Sequence, residues 1–204
     1  MQRLSLVRSA CVACLALAAQ PARAEPPGNW SVAIERLFGI SRAWLRSNDG
    51  GPGEDQTSVS VFTQHQGGFG YSAPRVAVDY VLDLGLSFGG AFGFGKYRAD
   101  YAYDDYRINA VLLAPRAGYL LTPTPTLAIW PRVGLTLTTS VRTGSEEDVS
   151  ALTFEAPVVF LLRKHVVGLT VTPYFEYGFS GLDDYSPYNT VSELGVSIGG
   201  NAFF

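Results

Sequence analysis

Beyond residue 24 the sequence alternates. In "LGLSFGGAFGFGKY", Leu84, Leu86, Phe88, Phe92 and Phe94 share one phase, and Gly85, Ser87, Gly89, Ala91, Gly93 and Gly95 share the other. "LAIWPRVGLTLTT" sets Leu127, Ile129, Val133, Leu135 and Leu137 against Ala128, Trp130, Arg132, Gly134 and Thr136. In "VGLTVTPYFEYGF", Val167, Leu169, Val171, Phe175, Tyr177 and Phe179 stand opposite Thr170, Thr172 and Glu176. Period two is the signature of a strand whose faces meet different surroundings. Apolar runs such as "VVFLL" at 158–162 fall far short of the ~18 residues of a transmembrane helix. A chain of this kind enters a bilayer, if at all, as strands.

The start of the chain is different. Arg3 and Arg8 precede an apolar stretch at 9–19, and Ala22-Arg23-Ala24 has the small-x-small form of a cleavage site. Residues 1–24 read as a removable signal peptide, with 25–29 as a short lead and 30–204 as one domain. The alternative is a lipobox ending at Cys14, which puts Cys11 where a Leu-like residue belongs. Both cysteines leave with the signal, so the mature domain has no disulfide and no thiol nucleophile. Three of the 15 basic residues leave too, and 12 bases against 18 acids give a mature charge of about −6. That balance argues against nucleic acid as a partner.

Counting alternating segments gives strands near 30–44, 74–82, 84–98, 107–121, 127–142, 150–162, 167–180 and 190–204. Short connections at 81–84, 122–126 and 163–166 alternate with longer polar ones at 45–73, 99–106, 143–149 and 181–189. Short turns on one side and long loops on the other are the layout of an outer-membrane barrel. The predicted fold is all-β, an eight-stranded antiparallel up-and-down transmembrane barrel. The segment 57–63 also alternates. A ninth spanning strand breaks the even count of bacterial barrels, so it is assigned to the first outer loop, as an extension beyond the membrane. Pro115, Pro131, Pro157 and Pro173 each remove a ladder bond and are expected at irregularities.

The polar phase decides which face meets lipid. It is largely Gly, Ala, Ser and Thr, and the whole chain has only two lysines, Lys96 and Lys164. A water-facing surface carries many more charges. The other phase is broad and aromatic, with Trp30, Phe38, Trp44, Tyr80, Tyr119, Phe160, Phe175 and Phe204. The apolar phase is therefore predicted to face hydrocarbon, with aromatic residues near strand ends.

The last strand, "VSELGVSIGGNAFF", has an apolar residue or Gly at every second position back from Phe204. It resembles the targeting strand of outer-membrane barrels, with Ser197, Gly199, Ala202 and Phe204 at the polar, glycine, hydrophobic and aromatic places of that pattern. Residues 30–204 as a whole resemble the small eight-stranded OmpA/OmpX-type barrels. The resemblance implies recognition of the terminal Phe by the barrel assembly machinery, outer-membrane lipid and lipopolysaccharide as surroundings, and a monomer.

Three strands share Pro-Arg-x-Ala/Gly, which sets Arg75, Arg116 and Arg132 in the inward phase. Glu35, Asp79, Glu155, Glu176 and Glu193 have the same phase. An eight-stranded barrel is just wide enough to be filled by side chains. The expectation is an interior arginine–carboxylate network without a continuous aqueous pore. Its charges read either as a structural set, because buried charges must be paired, or as a gated ion path. Arg36 falls in the lipid phase, which calls for a local bulge or a place near the rim.

A catalytic site is not expected, nor a cofactor or a bound metal. His65 is followed by Gln66-Gly67 and His165 by Val166-Val167, so neither has the His-x-Ser spacing of lipid A deacylases. Arg42, Lys96, Arg98 and Arg107, near the outer strand ends, are candidates for contact with lipopolysaccharide phosphates. Eleven of the 18 acids crowd the expected outer loops among several tyrosines. They read as a solvated surface, or as a binding surface bridged to phosphate by divalent cations. The functional expectation is a non-enzymatic structural or surface-interaction barrel; the alternative is a narrow channel or carrier for small or hydrophobic solutes.

Overall fold

The computed structural model describes residues 28–47, 53–61, 74–101, 104–142, 145–162, 166–180 and 188–204. The signal segment 1–24, His65 and His165 lie outside them. The strands are β1 (Trp30–Ser47), β2 (Glu54–Val61), β3 (Arg75–Val81), β4 (Leu86–Tyr101), β5 (Asp104–Tyr119), β6 (Leu121–Thr124), β7 (Leu127–Ile129), β8 (Arg132–Arg142), β9 (Ser145–Glu155), β10 (Val158–Leu161), β11 (Val167–Ser180) and β12 (Tyr188–Phe203). No described residue is helical.

These segments occupy eight places around one closed antiparallel ring. Neighbours run β1, β3, β4, β5, β8, β9, β11, β12, and β12 returns to β1. The closure is double at its lower edge, where Trp30 N–H donates to Phe204 O at 3.1 Å and Phe204 N–H donates to Trp30 O at 2.9 Å. A closed ring leaves no strand edge to be satisfied by water, which hydrocarbon requires.

Several places around the ring are built from two segments. Val61 of β2 pairs Phe38, and Arg75 of β3 pairs Glu35, both on the same side of β1. The second place is thus β2 above β3. The segment 57–63, assigned to the first outer loop as an extension of the barrel, is strand as far as Val61, and its alternating valines continue the wall along β1. Among the described residues β2 bonds only to β1, and β4 beyond Phe94 bonds only to β5.

Prolines account for other divisions. Pro131 separates β7 from β8, and Pro157 separates β9 from β10. The bonds that remain there use the proline carbonyls as acceptors: Trp130 N–H donates to Pro157 O at 2.8 Å, and Ala156 N–H to Pro173 O at 3.0 Å. Pro115 falls at a gap in the β5–β8 ladder, between Leu113↔Leu137 and Arg116↔Gly134. Of the expected loops at 99–106 and 143–149, the described residues 99–101, 104–106 and 145–149 are instead ladder. β4 and β5 stay paired to Tyr101↔Asp104, and β8 and β9 to Arg142↔Ser145.

At the lower end the β3–β4 turn is tight. Gly85, at φ 91°, closes the β3–β4 turn by donating its N–H to Leu82 O at 2.7 Å; a side chain would strain that conformation. The exterior is apolar over most of its height, from Phe88, Phe92 and Phe94 on β4 to Val133, Leu135 and Leu137 on β8. Phe94 is 60% exposed on this isolated chain. At the lower rim, Trp30 and Tyr80 face each other across β1 and β3 with ring centres 5.0 Å apart. A continuous apolar exterior ending in aromatic rings is a lipid-facing surface.

Candidate functional site

The small residues of the inward phase leave a lumen that is filled by charge. β3 contributes Arg75 and Asp79, β5 Arg116, β8 Arg132, β9 Glu155 and β1 Glu35, all buried. Arg116 grips Asp79 with two bonds, Nε to Oδ1 at 2.8 Å and Nη2 to Oδ2 at 2.5 Å, and its Nη1 donates to Glu35 at 2.8 Å. Arg132 Nη2 lies 2.9 Å from both Glu35 and Glu155. Arg75 donates to Glu35 at 2.9 Å and is also bonded to Glu155. Three guanidiniums and three carboxylates thus form one balanced cluster. Planar, two-pronged arginines suit it, because each can span two carboxylates at once.

Arg36 joins from an unexpected direction. The alternation of β1 places it outside, yet it is 2% exposed and points inward. The cause is a bulge: the β1–β12 register slips between Ile34 and Phe38, and Arg36 takes φ 58°. That conformation is uncommon for a residue with a side chain, and it costs on the order of 1–3 kcal/mol. In return the guanidinium reaches Glu176 at 2.5 Å and Glu155 at 3.2 Å. It also lies 4.1 Å from the centre of the Tyr174 ring. Tyr174 in turn donates its hydroxyl to Glu193 at 2.7 Å. The ring fits because β12 has Gly195 there: a Cβ on Gly195 would lie 2.5 Å from the tyrosine oxygen.

All eight inward charges expected from the sequence are therefore buried in the lumen, and seven of them belong to the ion pairs. Glu193 is the exception and is held by Tyr174. Phase alone missed Arg36 as a member. Tyr174 has the same phase as Thr172 and Glu176, the signal that places it in the lumen.

Below the charges the lumen is apolar. Val81, Leu120, Ala128, Trp130, Val159, Leu161 and Phe203 form a buried cluster at the end where β1 starts and β12 finishes. Trp130 and Phe203 are fully enclosed, with ring centres 6.0 Å apart. The Trp130 indole N–H, which needs an acceptor when buried, donates to Ser87 Oγ at 2.8 Å. A polar chain also crosses the lumen wall: Thr170 donates to Asn201, and Asn201 donates to Ser31, at 3.0 and 2.7 Å. The lumen is thus filled at two levels, by ion pairs and by an aromatic plug.

The remaining candidates are dispersed. Arg42 is exposed on β1, ion-paired to Asp55 of β2, with its guanidinium 5.7 Å from the Trp44 ring centre. Lys96 pairs in register with Asn109, and Arg98 with Arg107, near the upper end of the β4–β5 ladder. Of the last-strand residues, Ser197 and Gly199 face the lumen, Ala202 is half-buried and Phe204 is exposed.

No protein-family model and no curated protein sequence matches the chain. Solved structures do. The crystal structure of Neisserial surface protein A aligns with a TM-score of 0.52 at 16% identity, covering 86% of this chain and 97% of that one. Ail, the attachment invasion locus protein of Yersinia pestis, aligns over the same shares at 14% identity, with TM-scores of 0.49 for its complex with the heparin analogue sucrose octasulfate and 0.46 for a second crystal structure. Ring closure, strand order, the lipid-facing exterior and the alignment with Neisserial surface protein A together make this chain a small eight-stranded antiparallel transmembrane β-barrel.

Proposed function

We propose that the protein is a non-enzymatic, non-conducting barrel of the outer membrane that works through its outer surface. The supporting observation is the doubly filled lumen: the arginine–carboxylate cluster lies above the Trp130–Phe203 plug. A solute path would have to break several buried ion pairs, each costly to break because the abandoned partner stays buried. A surface role fits the likeness to Neisserial surface protein A. Delivery follows the signal segment 1–24. Assembly uses Phe204 of β12, with Ser197, Gly199 and Ala202, as the strand read by the barrel assembly machinery, and the product is a monomer.

The outer surface is assigned to lipopolysaccharide. The strongest support is the register of Arg98 directly opposite Arg107. That register gathers two basic residues at one level of the ladder, a composition suited to lipid phosphates. Lys96 lies two residues along β4. Arg42 is the weaker candidate, because Asp55 already neutralises it.

Planar-bilayer recording tests the lumen. The refolded barrel is expected to give no steady openings; unitary steps would overturn the proposal in favour of a narrow channel or carrier. Lipopolysaccharide retained on purification tests the surface. An Arg98→Ala/Arg107→Ala double variant is expected to retain less, and unchanged retention would remove that assignment.

A further inference from the structure

The lumen charges do not balance. Among the described residues, four buried guanidiniums, Arg36, Arg75, Arg116 and Arg132, face five buried carboxylates, Glu35, Asp79, Glu155, Glu176 and Glu193. The surplus falls at one place. Arg75, Arg116 and Arg132 are balanced by Glu35, Asp79 and Glu155, and Arg36 is balanced by Glu176. Glu193 is left with a hydroxyl, that of Tyr174.

Register then brings the surplus against a like group. Glu176 of β11 and Glu193 of β12 are direct cross-strand partners. Such partners on one face have Cβ atoms about 5 Å apart, within carboxyl-to-carboxyl reach. Both are buried, and Glu176 is 0% exposed. Glu176 uses Oε1 for Arg36 and Thr153, while its Oε2 is buried and has no hydrogen-bond partner. An ionised carboxylate oxygen without a donor in the interior of a barrel is strongly unfavourable.

The other groups facing the pair do not relieve it. Arg36 is already divided between Glu176 and Glu155. Arg75 and Arg132, the next cations, are divided between Glu35 and Glu155. From β1, the register partner of Glu193 is Ala43. From β9, Glu155 and Thr153 face Tyr174 and Glu176. The described residues form no cluster of acidic and histidine ligands fit for a metal ion. A proton is the one cation that needs no further ligand.

We propose that Glu176 and Glu193 bind one proton between them, as a carboxyl–carboxylate pair in the lumen. Carried on Glu193, the proton gives the Glu176 Oε2 its missing donor. It leaves Tyr174 donating to the other Glu193 oxygen, and it brings the buried charges to four against four. Two carboxylates that cannot both ionise at close range share a proton for the same reason elsewhere.

Infrared spectroscopy of the folded barrel in detergent at neutral pH tests this. A protonated carboxyl stretch that shifts on exchange into heavy water is expected, and Glu193→Gln and Glu176→Gln should each abolish it. Tyr174→Phe should move the band, because it removes the hydroxyl from Glu193. Folding of each variant is checked by its heat-modifiable gel migration; should Glu176→Gln fail to fold, Glu193→Gln decides alone. Absence of the band from the parent protein, or its full persistence in Glu193→Gln, would overturn the proposal.

Discussion

The guanidinium of Arg36 lies over the ring of Tyr174, 4.1 Å from its centre, while holding Glu176 at 2.5 Å. One side chain, turned inward by a bulge, therefore links β1 to β11 through both a cation–π contact and an ion pair. Arg36→Met should remove both and leave Glu176 buried without its cation, at a cost of about 3–5 kcal/mol. The Arg36→Met/Glu176→Met double variant should regain most of that loss, since an apolar pair can replace a buried ion pair. Urea unfolding in micelles, followed by tryptophan fluorescence, measures both.

Trp130 closes the lower lumen against Phe203. Trp130→Ala should cost about 3–5 kcal/mol through the cavity it leaves. It should nevertheless remain electrically silent in a planar bilayer, because the arginine–carboxylate layer above is untouched.

Gly195 and Gly200 lie on the same strand and offer a controlled contrast. A Cβ on Gly195 would strike the Tyr174 ring and hydroxyl, whereas one on Gly200 would meet only Gly168 O at 3.9 Å. Gly195→Ala should therefore destabilise by about 1–3 kcal/mol, as overpacking does, and Gly200→Ala should leave the unfolding midpoint nearly unchanged.

Leu113 pairs with Phe92 on the exterior, and both are exposed. Leu113→Arg should weaken folding into lipid vesicles by about 2–4 kcal/mol, the cost of a guanidinium deep in the apolar band. Reversible folding titrations in vesicles give the number.

Alternation made the wall and most of its filling legible. Phase assigned Arg75, Arg116, Arg132 and the carboxylates to the interior because a strand has two faces, and burial of one member demands burial of its partners. Arg36 escaped because the bulge between Ile34 and Phe38 inserts two extra residues, turning Arg36 inward while the outward phase resumes unchanged at Phe38, and a positive φ cannot be read from an arginine. The split second strand escaped for a related reason: 62–74 interrupts it in sequence but not in its place beside β1. The upper hairpins were read as loops from their polar composition. Ladder bonds are made by the backbone, so polar residues are compatible with pairing there.

The pairing of Trp30 with Phe204 sets the timetable of assembly. The bonds that seal the cylinder join residues 174 positions apart, so no early portion of the polypeptide can complete its own perimeter. Until β12 arrives, β1 has one bare flank. Sealing of the perimeter is therefore a late and slow event, set by the loop entropy of contacts so far apart in sequence.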